Sequence, residues 1–311
     1  MQPTRVDAFE IAGTVLGRQV ASVRRFPTGL HHFVYEVLFD SGDPVVLRIA
    51  DPENRPALRG ALYWEGLLRP LGVPLPEVLH SDLEMQRFAF PFLVLERLPG
   101  TDLGDVYGSL STHERQRIAR QMVDLQRLAS RLPEATGYGY ALDSSGRGLA
   151  EKWRGVLDGS LRRTRRWIER AGVIDPVWAD RAAARLDATE DLDDVRPRAF
   201  FHDITTKNVI VHEGRLTGIV DVDSMAFGDP LWTVALTRMA LLSAGHDTGY
   251  IDAWCRAMEP GSAPADRLDL YTALHGVAFL GEIGQAFNRE APAAIDEEYR
   301  ERLERTLSAL L

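Results

Sequence analysis

The stretch Phe201-His202-Asp203-Ile204-Thr205-Thr206-Lys207-Asn208 is followed by two short apolar runs and then by Asp221-Val222-Asp223. The apolar runs cover residues 209–211 and 216–222, and the residues between them, including Gly214, have the composition of a turn. We therefore predict a β-hairpin. Because Asn208 directly precedes the first strand and Asp221 lies near the end of the second, closing the hairpin brings these two side chains together.

The predicted hairpin places oxygen donors where a metal ion could bind. Mg²⁺ prefers carboxylate and amide oxygens and keeps water and phosphate oxygens in its remaining positions. Asp203 lies on the loop that enters the hairpin, so its carboxylate can reach a hydroxyl beside a metal-bound phosphate. Phosphoryl transfer needs this combination, in which a carboxylate orients and deprotonates the acceptor while metal ions neutralise developing charge.

The same spacing resembles the catalytic loop and metal-binding aspartate of the aminoglycoside phosphotransferase and choline kinase-like superfamily, which has a protein-kinase-like fold. The continuation to Gly228-Asp229-Pro230 is similar to that family as well. The resemblance implies that Asp203 is the catalytic base, that Asn208 and Asp221 bind Mg²⁺, and that Asp223 is an accessory carboxylate of the metal site. It also implies ATP or GTP as co-substrate, and the sequence does not separate the two purines.

Two positions depart from the family pattern. Phe201 stands where the family usually has a histidine, and His202 is adjacent to Asp203 instead. We interpret His202 as a scaffold residue. Thr233 stands where the family often has an aspartate after Gly-Asp-Pro, so we expect weaker anchoring of the catalytic loop there.

A strand over residues 45–49 supplies a candidate cation for the nucleotide phosphates. Side chains alternate along a strand, so Leu47 and Ile49 can face the core while Arg48 faces a cleft. The pair of Arg48 with Glu65, on a predicted helix over residues 55–71, resembles the superfamily's paired cation and helix glutamate. The resemblance implies that Glu65 orients Arg48 against the α- and β-phosphates.

Two further segments resemble nucleotide-binding parts of the family. Gly29 lies in Thr28-Gly29-Leu30-His31-His32-Phe33, which resembles the phosphate-covering loop. We interpret its paired histidines as loop-surface residues. The strand over residues 92–95 leads to Glu96 and Leu98, whose backbone groups would contact the purine at a hinge.

The order of elements predicts an α+β chain with a bilobal, protein-kinase-like fold. A hairpin over residues 34–39 and 45–49 lies in a β-rich N-terminal lobe, whereas residues after Ser111 are mainly helical, with a capping box predicted between Ser111 and Glu114. We place the N-terminal nucleotide-binding lobe at residues 1–97, the hinge at about 96–101, and the catalytic and acceptor-binding lobe at 102–311.

Composition limits the classes of partner. The chain has 311 residues, 45% hydrophobic content and a formal net charge of -9, which argues against a nucleic-acid-binding face. One cysteine, Cys255, excludes an intramolecular disulfide and favours a reducing cytoplasm. We see no apolar h-region and no run of about 18 apolar residues, so we expect neither secretion nor membrane insertion.

The leading hypothesis is a kinase that moves the γ-phosphate of a purine nucleotide to a small alcohol, which could be an aminoglycoside or another antibiotic. A metabolic kinase for choline, homoserine or a sugar is an alternative, and a nucleotide-binding pseudokinase is another. The oligomeric state is left open. Candidate acceptor residues come from the C-terminal helices: Trp254, Tyr271, His275, Glu282, Phe287 and the run 296–298.

Overall fold

The computed structural model describes residues 2–26, 32–190, 192, 194–259, 261–287 and 292–311. Its N-terminal part is a five-stranded antiparallel sheet in the order β1-β2-β3-β5-β4. The strands are β1 (Val20–Arg25), β2 (Phe33–Phe39), β3 (Val45–Ile49), β4 (Val78–Asp82) and β5 (Phe92–Glu96).

Alternation along the strands separates the two faces of this sheet. On β5, Phe92 and Val94 join the core beneath helix α1 (Arg5–Leu16), while Leu93 and Leu95 pack with Leu58 of helix α2 (Arg55–Leu68). The sheet is therefore covered by one helix on each face. The predicted hairpin and the helix after it are confirmed within one to a few residues.

Helix α1 was not anticipated from the sequence. Thr4 and Asp7 form a capping box at its start, and Gly17 ends it in the left-handed conformation with a φ of 60°. Its buried residues are small or aliphatic, whereas Val6 and Phe9 are 74% and 49% exposed. Apolar residues thus occur on both faces, which removes the periodicity that identifies an amphipathic helix.

The C-terminal part is mainly helical. The confirmed capping box of Ser111 and Glu114 starts its long helix α4. The helices are α3 (Leu103–Val106), α4 (Thr112–Ala129), α5 (Trp153–Ala171), α6 (Val177–Asp187), α7 (Leu231–Ser243), α8 (Gly249–Ala257), α9 (Ala265–Glu282) and α10 (Glu297–Leu310). None of the helices within the described ranges is both long and apolar enough for a membrane span.

Two small sheets hold the segment that carries the predicted chemistry. One has the order β10-β9-β6 and the other the order β7-β11-β8. Their strands are β6 (Thr101–Asp102), β7 (Gly139–Ala141), β8 (Arg198–Phe200), β9 (Val209–His212), β10 (Arg215–Ile219) and β11 (Met225–Gly228).

The predicted hairpin corresponds to β9 and β10. Ile219 pairs with Val209, and the Val220 N–H donates to the Asn208 carbonyl at 2.9 Å, so the ends of the hairpin meet as expected. The second strand was predicted to reach residue 222, which is wrong, because β10 ends at Ile219. Asp221 has a φ of 65°, a left-handed backbone conformation that cannot continue a strand.

Candidate active site

A cleft of about 1820 Å³ lies between the N-terminal sheet and the C-terminal helices. It collects the predicted site residues from both parts of the chain. Those that line it are Arg48, Glu65, Glu96, Leu98, Asp203, Asn208, Asp221 and Asp223. Gly29, the remaining predicted residue, lies outside the described residues.

Arg48 connects the N-terminal sheet to the predicted metal-site carboxylates. Strand β3 buries Leu47 and Ile49 in the core and turns Arg48 toward the cleft, as alternation predicts. One guanidinium nitrogen of Arg48 donates to Asp221 at 2.7 Å and to Asp223 at 2.8 Å. The Arg48 side chain is 7% exposed, so both ion pairs are shielded from water on one side.

His32 adds a third contact to this cluster. Its Nε2 lies 2.7 Å from the Asp223 carboxylate, and the residue is buried. The interpretation of the paired histidines as surface residues is therefore wrong for His32, while His31 lies outside the described residues. The partner of His32 is 191 residues away, so no local sequence pattern could have identified this contact.

Opposing effects set the charge of Asp223. Burial alone raises its pKa, but the charge of Arg48 and the hydrogen bond from His32 outweigh burial and hold the pKa well below its usual range. Burial lowers the pKa of Arg48, but the charges of Asp223 and Asp221 outweigh burial and raise this pKa above its usual value. Arg48 and Asp223 therefore both stay charged at neutral pH.

The donors around Asp221 suit Mg²⁺. Asp223 Oδ1 is buried and has no hydrogen-bond partner among the described residues, and the Asp221 side chain, which lines the cleft, is 41% exposed. Asn208 donates its Nδ2 to the Asp203 carbonyl at 2.7 Å, and its amide oxygen makes no hydrogen bond with another described residue. No group of three His, Cys, Asp or Glu side chains that could hold a metal occurs in the described ranges. Two carboxylates and one amide leave positions for water and phosphate oxygens, which is the coordination that Mg²⁺ commonly retains.

Asp203 is a partly buried carboxylate that lines the cleft. Burial and, to a smaller extent, the nearby charge of Asp221 raise its pKa from 3.8 to about 7, whereas Lys207 acts in the opposite direction. A group whose pKa lies near the working pH can both accept and release a proton, which is the property that a general base needs.

The catalytic loop is held at Phe201. Gln126 of α4 accepts from the Phe201 N–H and donates to its carbonyl, both at 3.0 Å. Thr233 of α7 is fully buried, and its hydroxyl also donates to the Phe201 carbonyl. Thr233 thus supplies an anchor of its own at the position where weaker anchoring was expected.

His202 packs beside the loop. Its Nε2 lies 3.0 Å from the Ser224 hydroxyl, and its ring meets Tyr140 edge to face with centroids 4.8 Å apart. Burial lowers its pKa to about 4, so the imidazole is neutral at physiological pH. These contacts support the interpretation of His202 as a scaffold residue.

Glu65 lines the cleft, but its carboxylate pairs with Arg69 one helical turn away, at 3.3 Å. Arg48 pairs with Asp221 and Asp223 instead. The predicted orientation of Arg48 by Glu65 stays a prediction, and in the structure the two side chains have different partners.

The predicted hinge follows strand β5. Arg97 donates to the Leu98 carbonyl at 2.6 Å and to the Gly100 carbonyl at 3.3 Å, and it pairs with Glu36 of β2. Among the described residues, the Leu98 N–H has no hydrogen-bond partner, so it is available to a ligand in the cleft. Arg97 thereby fixes the backbone that the sequence predicts to contact the purine.

The candidate acceptor residues fall into two groups. Trp254, Tyr271 and His275 are buried in the core, and Phe287 packs against Trp167. Glu282 and part of the acidic run line the cleft, where Asp296 caps α10 by accepting from the Tyr299 N–H.

Comparison with known proteins agrees with this geometry. The model of the phosphotransferase enzyme family matches residues 22–271. A thermostable mutant of aminoglycoside phosphotransferase APH(4)-Ia, solved with AMP-PNP and hygromycin B, is 18% identical, with a TM-score of 0.68, covering 99% of this chain and 98% of that one. The GDP and kanamycin complex of APH(2″)-IIIa is 16% identical, with a TM-score of 0.69 and the same coverage. No curated protein matches the sequence.

The two structural likenesses cover nearly the whole chain, and they confirm the α+β, protein-kinase-like fold. The family model spans well over half of the sequence and includes every predicted site residue. The chain belongs to the phosphotransferase enzyme family, as a nucleotide-dependent small-molecule kinase.

Proposed function

We propose that the protein transfers the γ-phosphoryl group of a purine nucleotide to a hydroxyl of a small molecule, with Asp203 as the catalytic base. An aminoglycoside or another antibiotic is one acceptor class, since relatives of the fold were solved with hygromycin B and kanamycin. A metabolic alcohol such as choline, homoserine or a sugar is the alternative within the same reaction.

One observation carries this proposal. A partly buried carboxylate, Asp203, shares a cleft with an arginine from the N-terminal sheet and with the oxygen donors Asn208, Asp221 and Asp223. Phosphoryl transfer depends mainly on positioning and on stabilising charge, and this set of groups supplies both.

The residues have separable roles in the proposed reaction. Asp203 accepts the proton of the acceptor hydroxyl as that oxygen attacks the γ-phosphorus, and the bond to the β-phosphate oxygen breaks. Asn208, Asp221 and Asp223 would hold Mg²⁺, which neutralises charge on the phosphates. Arg48 is the candidate cation for the α- and β-phosphates, and Glu65, which lines the same cleft, would orient it.

The proposed binding site for the nucleotide extends along the hinge. The backbone of Glu96 and Leu98 would contact the purine, and Gly29 would belong to the loop that covers the phosphates. The boundary between nucleotide-binding and acceptor-binding lobes, at residues 1–97 and 102–311, belongs to the same proposal.

Thermal unfolding of the purified protein tests the nucleotide half of this function. A ligand that binds only the folded state raises the midpoint, so ATP or GTP with Mg²⁺ should raise Tm more than either component alone. ADP formation with a panel of alcohols then tests transfer. A protein whose Tm responds to neither nucleotide, with or without Mg²⁺, would contradict the proposal.

A further inference from the structure

One stretch of the cleft wall beyond Asp203 is apolar. Leu236 and Ala240 lie four residues apart on α7, and Phe279 lies on α9 one turn before Glu282. All four line the cleft and are partly exposed there. This spacing puts each pair on one face of its helix, so an acceptor that reaches this stretch meets apolar side chains and the Glu282 carboxylate.

Glu282 is the carboxylate on this wall that has no partner within the described residues. Asp296 accepts the hydrogen bond that caps α10, and Glu298 pairs with Arg302 at 2.6 Å. Glu282 makes no ion pair and no hydrogen bond with another described residue. Burial raises its pKa to about 7, against the influence of Lys207, so a cation placed beside it would favour the charged form.

Two cationic side chains, Lys207 and Arg163, line the same cleft and would repel a ligand with several positive charges. Lys207 is exposed in the cleft and acts electrostatically on both Asp203 and Glu282, yet it makes no ion pair or hydrogen bond with another described residue. Arg163 of α5 also lines the cleft, with its guanidinium near Ser160 and the Trp167 ring rather than a carboxylate. An acceptor with several ammonium groups would place some of them near these cations.

We propose that the acceptor is an alcohol with a single basic amine on a largely apolar body, that Glu282 binds this amine, and that Lys207 and Arg163 disfavour polyamines. This inference rests on the proposed function and narrows its acceptor class. A charge-assisted hydrogen bond in a partly buried site is strong enough to decide between acceptors. Like charges near the same site add selectivity by repulsion.

Three probes test the charge requirement directly. N-octylglucamine carries hydroxyls, an octyl chain and one amine; octyl glucoside lacks the amine; kanamycin carries several amines. Binding of each probe, below micelle formation, is measured by calorimetry on protein loaded with Mg²⁺ and AMP-PNP. We expect N-octylglucamine to bind at least about tenfold more tightly than either other probe.

Two substitutions connect this preference to Glu282. Glu282→Gln should remove the difference between the two octyl probes, whereas Glu298→Gln, which changes a carboxylate already paired with Arg302, should preserve it. Lys207→Met should narrow the gap between kanamycin and N-octylglucamine.

Each other outcome overturns the inference. Tighter binding of kanamycin, an amine preference that survives Glu282→Gln, or no binding of any probe to the nucleotide-loaded protein would each show that the wall is not a monoamine site. Failure of the protein to bind magnesium nucleotide would contradict the proposed function instead, so the two failures are distinguishable.

Discussion

The two sides of Asp203 differ in how completely their charges are paired. On the nucleotide side, Arg48 bonds two aspartates and His32 bonds one of them, at 2.7–2.8 Å. On the side proposed for the acceptor, Glu282 and Lys207 line the same cleft and make no ion pair or hydrogen bond with another described residue. Groups that pair within the protein are held in position before a ligand binds, whereas unpaired groups are available to select one.

Removing the proposed base should separate the two sides most sharply. Asp203→Ala should lower kcat by about 10²–10⁴-fold, because it removes the group proposed to accept the hydroxyl proton. Nucleotide affinity in the presence of Mg²⁺ should change little, since the role of Asp203 is toward the acceptor. Steady-state kinetics and nucleotide titration measure the two effects, and an equal loss of nucleotide affinity would remove Asp203 from the acceptor side.

Removing a proposed metal ligand should affect the nucleotide side instead. Asp221→Ala should weaken magnesium-dependent nucleotide binding by at least about 100-fold, beyond the loss typical of residues that only support a ligand. It also takes one partner from Arg48, so the Tm of the ligand-free variant is the control for folding. Tight nucleotide binding that still depends on Mg²⁺ would place the metal elsewhere.

The same contrast explains which residues the sequence could predict. Asn208 and Asp221 lie at the two ends of one hairpin, so local turn chemistry and strand length were enough to bring them together. His32 and Asp223 meet across 191 residues, and Gln126 reaches Phe201 across 75, so only the folded chain defines these contacts. Glu65 pairs with Arg69 in the structure, and Arg48 pairs with Asp221 and Asp223, which no helix pattern could have indicated.

Helix α2 touches the metal-site segment at one glycine. A Cβ on Gly60 would lie 2.2 Å from the Asp223 carbonyl oxygen. Because this distance is far shorter than a van der Waals contact, the backbone of α2 or of Asp223 would have to move. Gly60→Ala should therefore displace α2 or Asp223, at a packing cost of about 1–3 kcal/mol that exceeds the roughly 1 kcal/mol gain in helix propensity. We expect weaker magnesium-nucleotide binding and a lower transfer rate.

The same helix supplies the matched control for this substitution. Gly66 is exposed, and a Cβ there would meet nothing within 4 Å. Gly66→Ala should raise the free energy of unfolding by up to about 1 kcal/mol and leave nucleotide binding unchanged. If both variants bind nucleotide equally well, the contact between α2 and Asp223 does not set the geometry of the site.

The smallest expected effect concerns the anchor of the catalytic loop. Thr233→Val removes the hydroxyl that donates to the Phe201 carbonyl, but Gln126 still donates to the same oxygen, so the loss of stability should be only about 1 kcal/mol. Thr237, one turn later on α7, is also buried, and its hydroxyl bonds only within the helix. Thr237→Val should therefore cost similar stability without changing kcat, while Thr233→Val lowers kcat and Thr233→Ser restores it. Steady-state kinetics measure kcat, and Tm is determined in parallel. Equal kcat values in the two valine variants would mean that Gln126 alone holds the loop. Because Phe201 lies two residues from Asp203, the proposed base, we expect the rate to respond to Thr233.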